Sequence, residues 1–241
     1  MSTFINYLDP NTSLWDRLLD AYINLQIPLK RQEELGVMLE VLRIKDQETY
    51  KHSIRVGLLA RLIGMFMHLD QRALLYAGLL HDMGKAQTNP KTLKKTEGWN
   101  EADTAEIQHH VWDGYRLLRG QFDFSAEVIL WHHRFQPNSY PAEEEMPVSL
   151  HEYSQGTKIM IPLFGRLLAL ADSFDASHRV NDKFAKGDDS IGGGIKKRML
   201  EHNRDQAFLV QELYEAGIFT TQTFEEVPNG PKFEFTGSST V

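Results

Sequence analysis

Residues 70–85 read DQRALLYAGLLHDMGK, and this stretch decides the fold. Asp70 has the chemistry of a helix N-cap, and Gln71 to Asp82 follow as a predicted helix. Its apolar run delivers His81 and Asp82 side by side, with Lys85 three residues on. Burying an imidazole and a carboxylate costs free energy unless they are paired or bound to metal. Adjacent residues can reach two neighbouring metal ions, and a carboxylate can bridge them. Lys85 is either a cation that offsets negative charge near the metals or a lysine favoured at a helix C-terminus by the dipole.

Helical periodicity continues on both sides. Leu14, Leu18 and Leu19 fit an opening amphipathic helix, and Leu35, Leu39 and Leu42 share one face of a second over 29–43. Asp46 caps a third, Gln47 to His68, whose face carries His52, Val56, Leu59 and Ile63. Downstream, a helix starts at Asp103 or Thr104 and runs to Leu118, and a short one runs from Ser125 to near His133. A long one spans 159–177 with Pro162 near its start, where proline is tolerated. The last runs over 195–216 and is ended by Gly217. Polar loops are expected at 86–101, with Lys91, Lys94 and Lys95, and at 134–158 and 179–194. After Gly217 the chain alternates around Asn229-Gly230, which reads as a small hairpin or a frayed tail. The pattern is all-α, without an internal repeat or a linker. It divides into an N-terminal helical segment (1–45), a central domain (46–216) and a C-terminal hairpin or tail (217–241).

The 241 residues carry a formal charge of −7, which argues against a duplex nucleic-acid partner and leaves room for a small anionic substrate on a local basic patch. There are no cysteines, so any metal must sit on nitrogen and oxygen; this also suits a reducing cytoplasm. The first residues lack a signal-peptide pattern, and no apolar run is long enough to span a membrane.

The polar residues that interrupt apolar helix faces are His52, His81, Asp82, His109-His110, His132-His133 and Asp172. Singly, each has an ordinary explanation; His52, for example, could be one satisfied histidine on a helix face. Jointly those explanations would have one chain bury several unrelated polar groups at cost, and a site holding two or three metal ions is the better account. Metal-activated water then makes a hydrolase the expected class. Glu48 lies four residues before His52, so the two share a helix face and could grip one metal; a solvated glutamate in the first turn is the alternative. Asp175, three residues after Asp172, could orient a histidine ligand from behind.

The order His…His-Asp…His…His-His…Asp resembles the HD superfamily of metal-dependent phosphohydrolases, and more narrowly its HD-GYP branch. DQETYKHSIRV (46–56) is similar to the branch's first ligand region, and HDMGK (81–85) to its central motif. HHVWDGYRLL (109–118) resembles the block in which histidine precedes glycine by four, which singles out His110. HHRFQPNSYP (132–141) and LALADSFDAS (168–177) resemble the last two blocks. The resemblance implies a helical HD-domain bundle with metal ligands His52, His81, Asp82, His110, His132, His133 and Asp172, Asp82 bridging. Glu48-Thr49 matches a Glu-Thr pair that holds a third metal in some members. The implied cofactors are two or three divalent ions, iron or manganese, and the implied activity is hydrolysis of cyclic di-GMP. Asp82 and Lys85 would be the catalytic pair, with Lys85 near the scissile phosphate. Arg179 and Lys183 stand roughly where the family has phosphate-binding residues, and Tyr140 falls in the Gly-Tyr-Pro position, here Ser139-Tyr140-Pro141. Pro137-Asn138 replaces the usual Asp-Gly, so the substrate loop is altered.

Other functions share these ligands. Some HD-superfamily proteins are di-iron oxygenases; a nucleotide phosphohydrolase and a non-catalytic nucleotide receptor are further alternatives. The N-terminal helices are left with two roles, homodimerisation or capping the core.

Overall fold

A computed structural model describes residues 13–136, 139–149, 151–178 and 191–220, and among these the regular structure is entirely helical. The centre is α3 (Gln47–Phe66), following α1 (Leu14–Asn24) and α2 (Leu29–Lys45), which both pack on it. Asp46 caps α3 by accepting from the Thr49 N–H at 2.8 Å. Past its first turn α3 is buried almost all round, including Leu59 and Ile63, each worth roughly 1.5–3 kcal/mol by burial alone. The N-terminal residues Leu18, Tyr22, Leu35, Leu39 and Leu42 belong to the same apolar core.

Asp70 caps α4 (Gln71–Leu80) by accepting from the N–H groups of Arg72 and Ala73. Helices α3 and α4 touch through glycines: a Cβ added to Gly78 would stand 2.6 Å from the Cα of Gly57. A 3₁₀ turn (Met83–Ala86) and the short α5 (Pro90–Leu93) lead to α6 (Glu101–Gln108), α7 (His110–Leu118) and α8 (Asp123–Ile129). The long α9 (Gln155–Ser177) returns across α3 and α8; α10 (Ile191–His202) and α11 (Ala207–Glu215) pack at its far end.

Several boundaries differ from the sequence expectation. The first is at α6, where Asn100, in a capping box with Asp103, starts the helix earlier than Asp103. Ser154 likewise caps α9, which starts at Gln155, four residues before Ile159, and this puts Pro162 inside the helix. The last helix is two, broken around Asn203, and α10 already begins at Ile191. Three further differences have one cause. Predicted helices ran through His81, His110 and His132, but the observed helices stop or break just before each. In each case the imidazole Nδ1 bonds the carbonyl three residues back: Gly78 at 2.8 Å, Ile107 at 2.6 Å and Ile129 at 2.5 Å. That side-chain bond competes with the next backbone N–H for the same carbonyl. Residues 221–241, the main part of the expected hairpin, lie outside the described residues.

Candidate metal centre

Seven side chains from five places in the chain meet at the middle of the bundle. His52 comes from α3, His81 and Asp82 from the end of α4, His110 from the start of α7, His132 and His133 from the turn after α8, and Asp172 from α9. The rings of His52, His81, His132 and His110 follow one another at centroid spacings of 5.0, 5.2 and 5.5 Å, and His133 lies 3.9 Å from His132. Three groups of donor atoms cluster tightly enough to share an ion: His52/His81/Asp82, His81/His132/Asp172 and His110/His132/His133.

Outer partners fix the ring tautomers. His81, His110 and His132 donate from Nδ1 to the carbonyls named above, and His52 Nδ1 donates to Asp175 Oδ2 at 2.6 Å. The remaining nitrogen, Nε2, is then an unprotonated lone pair. These lone pairs converge: His52 Nε2 lies 3.1 Å from His81 Nε2, and His110 Nε2 lies 3.5 Å from His132 Nε2. Two acceptors facing each other at that range repel, whereas two nitrogens bound side by side to one ion lie roughly 3 Å apart.

Asp82 sits between the two halves and is 1 % exposed. Its Oδ2 is 3.5 Å from both His52 Nε2 and His81 Nε2 and 2.6 Å from Lys85 Nζ. Its Oδ1 is 3.4 Å from His110 Nε2 and has no hydrogen-bond partner among the described residues. Asp172 Oδ1 stands 3.1 Å from His52 Nε2. An orphaned buried carboxylate oxygen among converging imidazole lone pairs is a donor set that fits divalent ions bound by nitrogen and oxygen.

Protonation states suit the same role. Burial pushes His81 down to about 4 and His110 down to about 3, and it lowers His132 and His133 as well, so the imidazoles are neutral near pH 7. Burial alone would raise the Asp82 carboxyl, but the Lys85 ammonium leads the groups that hold it well below the carboxylate range. Asp175 is held at about 2: burial would raise it, and the His52 hydrogen bond and Arg55, with Nε at 2.6 Å, outweigh that.

Other predicted residues fall in different places. Lys85 lines a pocket of about 330 Å³ that opens beside His52, His133 and Asp172. Tyr140 stacks on His133, centroids 4.5 Å apart, and burial with the charges of Asp172 and Asp82 raises its phenol well above the ordinary value. Glu48 is not brought to the cluster: its side chain is 74 % exposed and 4.0 Å from Lys51 Nζ. Arg179 and Lys183 lie outside the described residues. The rest of the pocket lining, which sequence reasoning missed, includes Arg166, Arg198, His202 and Asn203. A lone arginine inside the apolar run LFGRLLALAD (163–172) was the available signal for Arg166.

The HD domain family model matches residues 49–177, more than half of the chain. The chain belongs to the HD domain family. It is 32 % identical over 147 residues to the 3'3'-cGAMP-specific phosphodiesterase 1 of Vibrio cholerae, covering 58 % of this chain and 31 % of that protein. It is 29 % identical over 160 residues to the cyclic di-GMP phosphodiesterase of Thermotoga maritima, covering 60 % and 39 %. The chain thus spans about a third of the length of these curated relatives. Among solved structures, the HD domain of the L. monocytogenes phosphodiesterase PgpH superposes with a TM-score of 0.49 at 16 % identity, covering 77 % of this chain and 94 % of that one. Among the described residues no helix is long and apolar enough to cross a membrane.

Proposed function

We propose that this chain is a metal-dependent phosphodiesterase of the HD-GYP branch that hydrolyses a cyclic dinucleotide such as cyclic di-GMP in the cytoplasm. The observation that carries it is the convergence of the His52, His81 and His110 Nε2 lone pairs on Asp82, each ring held by an outer acceptor. His52, His81, Asp82 and Asp172 would hold one ion, and Asp82, His110, His132 and His133 the other. Divalent iron or manganese there supplies Lewis acidity and water of lowered pKa as the nucleophile. Names of relatives that act on cyclic dinucleotides support the substrate class.

The chain's own residues do the rest. Asp82 offers one oxygen to each half of the site, which fixes the spacing between them. Asp175 and the three backbone carbonyls hold the rings so that no reorganisation is needed when charge develops. Lys85 reaches both Asp82 and the pocket, where its ammonium would offset charge on the substrate phosphate. Tyr140, kept protonated, remains a donor on the His133 side. The described residues give no partner set for a third ion at Glu48, so two ions are proposed. Residues 1–45, 46–216 and 217–241 are proposed as cap, catalytic domain and tail.

The test is anaerobic purification, loading with Fe(II) or Mn(II), metal analysis, and assay against cyclic di-GMP, a linear dinucleotide and bis(p-nitrophenyl) phosphate. Two ions per chain and phosphodiester hydrolysis are expected, with Asp82→Ala more damaging than His81→Ala. Glu48→Gln should leave two ions; loss of a third would restore Glu48 as a ligand. Oxygen uptake with an organic substrate and no phosphoester hydrolysis would replace the proposal with an oxygenase.

A further inference from the structure

Arg166 is 4 % exposed and sits on α9, six residues before Asp172, in the wall of the pocket beside the metal centre. Its guanidinium is held from one side. Nε donates to Asp205 Oδ2 at 2.8 Å, and Nη2 donates to Asp205 Oδ1 at 2.7 Å and Asn203 Oδ1 at 3.0 Å. Asn203 is itself buried and tied back to the Met199 carbonyl at 2.8 Å. The Phe135 ring packs against the guanidinium, 5.1 Å from its carbon to the centroid. Nη1 is left buried and without a hydrogen-bond partner among the described residues. A buried, oriented donor with nothing to bind is costly, and such groups in native proteins usually have a reason. Arg198 and His202 line the same pocket as Lys85, His52, His133 and Asp172. The pocket lining thus joins metal-centre residues to the further cationic side chains of Arg166 and Arg198.

We propose that Arg166, with Arg198 beside it, forms a second anion subsite that takes the non-scissile phosphate of a two-phosphate substrate. The inference rests on the phosphodiesterase reading and deepens it, because it makes the number of phosphates a determinant of recognition. A guanidinium fixed by a carboxylate on one edge presents its other nitrogen in a set direction, which suits a phosphate oxygen. Lys85 bonds Asp82 at 2.6 Å within the metal centre, so its phosphate is the reacting one; Arg166 is tied to Asn203 and Asp205, between α10 and α11, so its phosphate is the other.

The probes are cyclic di-GMP, with two phosphates, and cyclic GMP, with one, titrated calorimetrically into the metal-free full chain. The wild-type protein should prefer cyclic di-GMP, and Arg166→Gln should reduce that preference roughly ten- to hundredfold, the range for one hydrogen bond to a charged group. Arg166→Lys is the second variant: it keeps a cation for Asp205, protecting the fold, but loses the fork, and the preference should still fall. Asp205→Ala separates charge from orientation: it keeps the guanidinium but removes two of its ties, so the preference should fall by less than with Arg166→Gln. A fall in preference with Asp205→Ala as large as with Arg166→Gln would overturn the subsite in favour of a purely structural tie. Equal weakening of both probes by Arg166→Gln would overturn it too. If bis(p-nitrophenyl) phosphate is hydrolysed while both probes bind alike, the subsite fails and the phosphodiesterase reading stands. If the preference depends on Arg166 but no phosphodiester is cleaved with any metal, the subsite stands and the phosphodiesterase reading fails.

Discussion

Replacing Asp175 with asparagine tests whether a residue outside the ligand set governs metal binding. Asp175 is buried, accepts from His52 Nδ1 at 2.6 Å through Oδ2 and pairs with Arg55 Nε at 2.6 Å through Oδ1. Its fall from 3.8 to about 2 corresponds to roughly 2 kcal/mol in favour of the ionised form. Asparagine keeps the shape and one acceptor but removes that charge, so Arg55 faces a neutral amide and the His52 ring loses basicity. Loss of an outer-shell carboxylate typically costs 10- to 100-fold in metal affinity. Breaking a buried ion pair costs about 3–5 kcal/mol when one partner is deleted outright, and the isosteric amide should cost nearer 2 kcal/mol. Mn(II) titration by calorimetry should show one of two sites weakened by that factor, the site holding His52, with the other site less affected. Urea unfolding of the metal-free protein should show the stability loss. Arg55→Met is the companion: it should lower stability while leaving the His52–Asp175 bond. A variant Asp175→Asn that is destabilised yet binds both ions with wild-type affinity would refute the orienting role and leave only the ion pair.

Gly84→Ala should displace His110, because a Cβ at Gly84 would stand 1.8 Å from the His110 carbonyl oxygen and 2.6 Å from the Gly114 nitrogen. A stability loss of about 1–3 kcal/mol and reduced metal content are expected; wild-type melting and metal content would contradict this packing. The metal-free protein should lose stability as pH falls below about 6.5. His81 and His110 stay neutral when folded, down to about 4 and about 3, while the unfolded chain takes up protons at 6.5. Their folded values are depressed, so nothing is lost above 6.5, the penalty grows below it, and by pH 5 it reaches roughly 2 kcal/mol per histidine. Urea midpoints at pH 7.5 and 5 check it, and a flat profile would sink it.

Much of the architecture was local in origin and therefore legible. Asp46 and Asp70 cap the helices they were expected to cap, because an N-cap bond is made within three residues. The apolar periodicity of residues 14–80 gave the helices around the centre, and the residue types His, Asp and no Cys limited any metal to nitrogen and oxygen donors. Tertiary structure decided what no short stretch contains. α4 ends before His81, α6 and α7 break ahead of His110, and α8 ends before His132; there each imidazole Nδ1 takes a carbonyl three residues back while its Nε2 meets side chains from distant segments. Glu48 and His52 have the spacing of one helix face, yet His52 is buried and Glu48 is exposed beside Lys51. Asp175 meets His52 across 123 residues, and Arg166 finds Asp205 across 39. Spacing fixes direction along one helix. Which direction is inside, and which carboxylate waits there, depends on how the helices pack against one another.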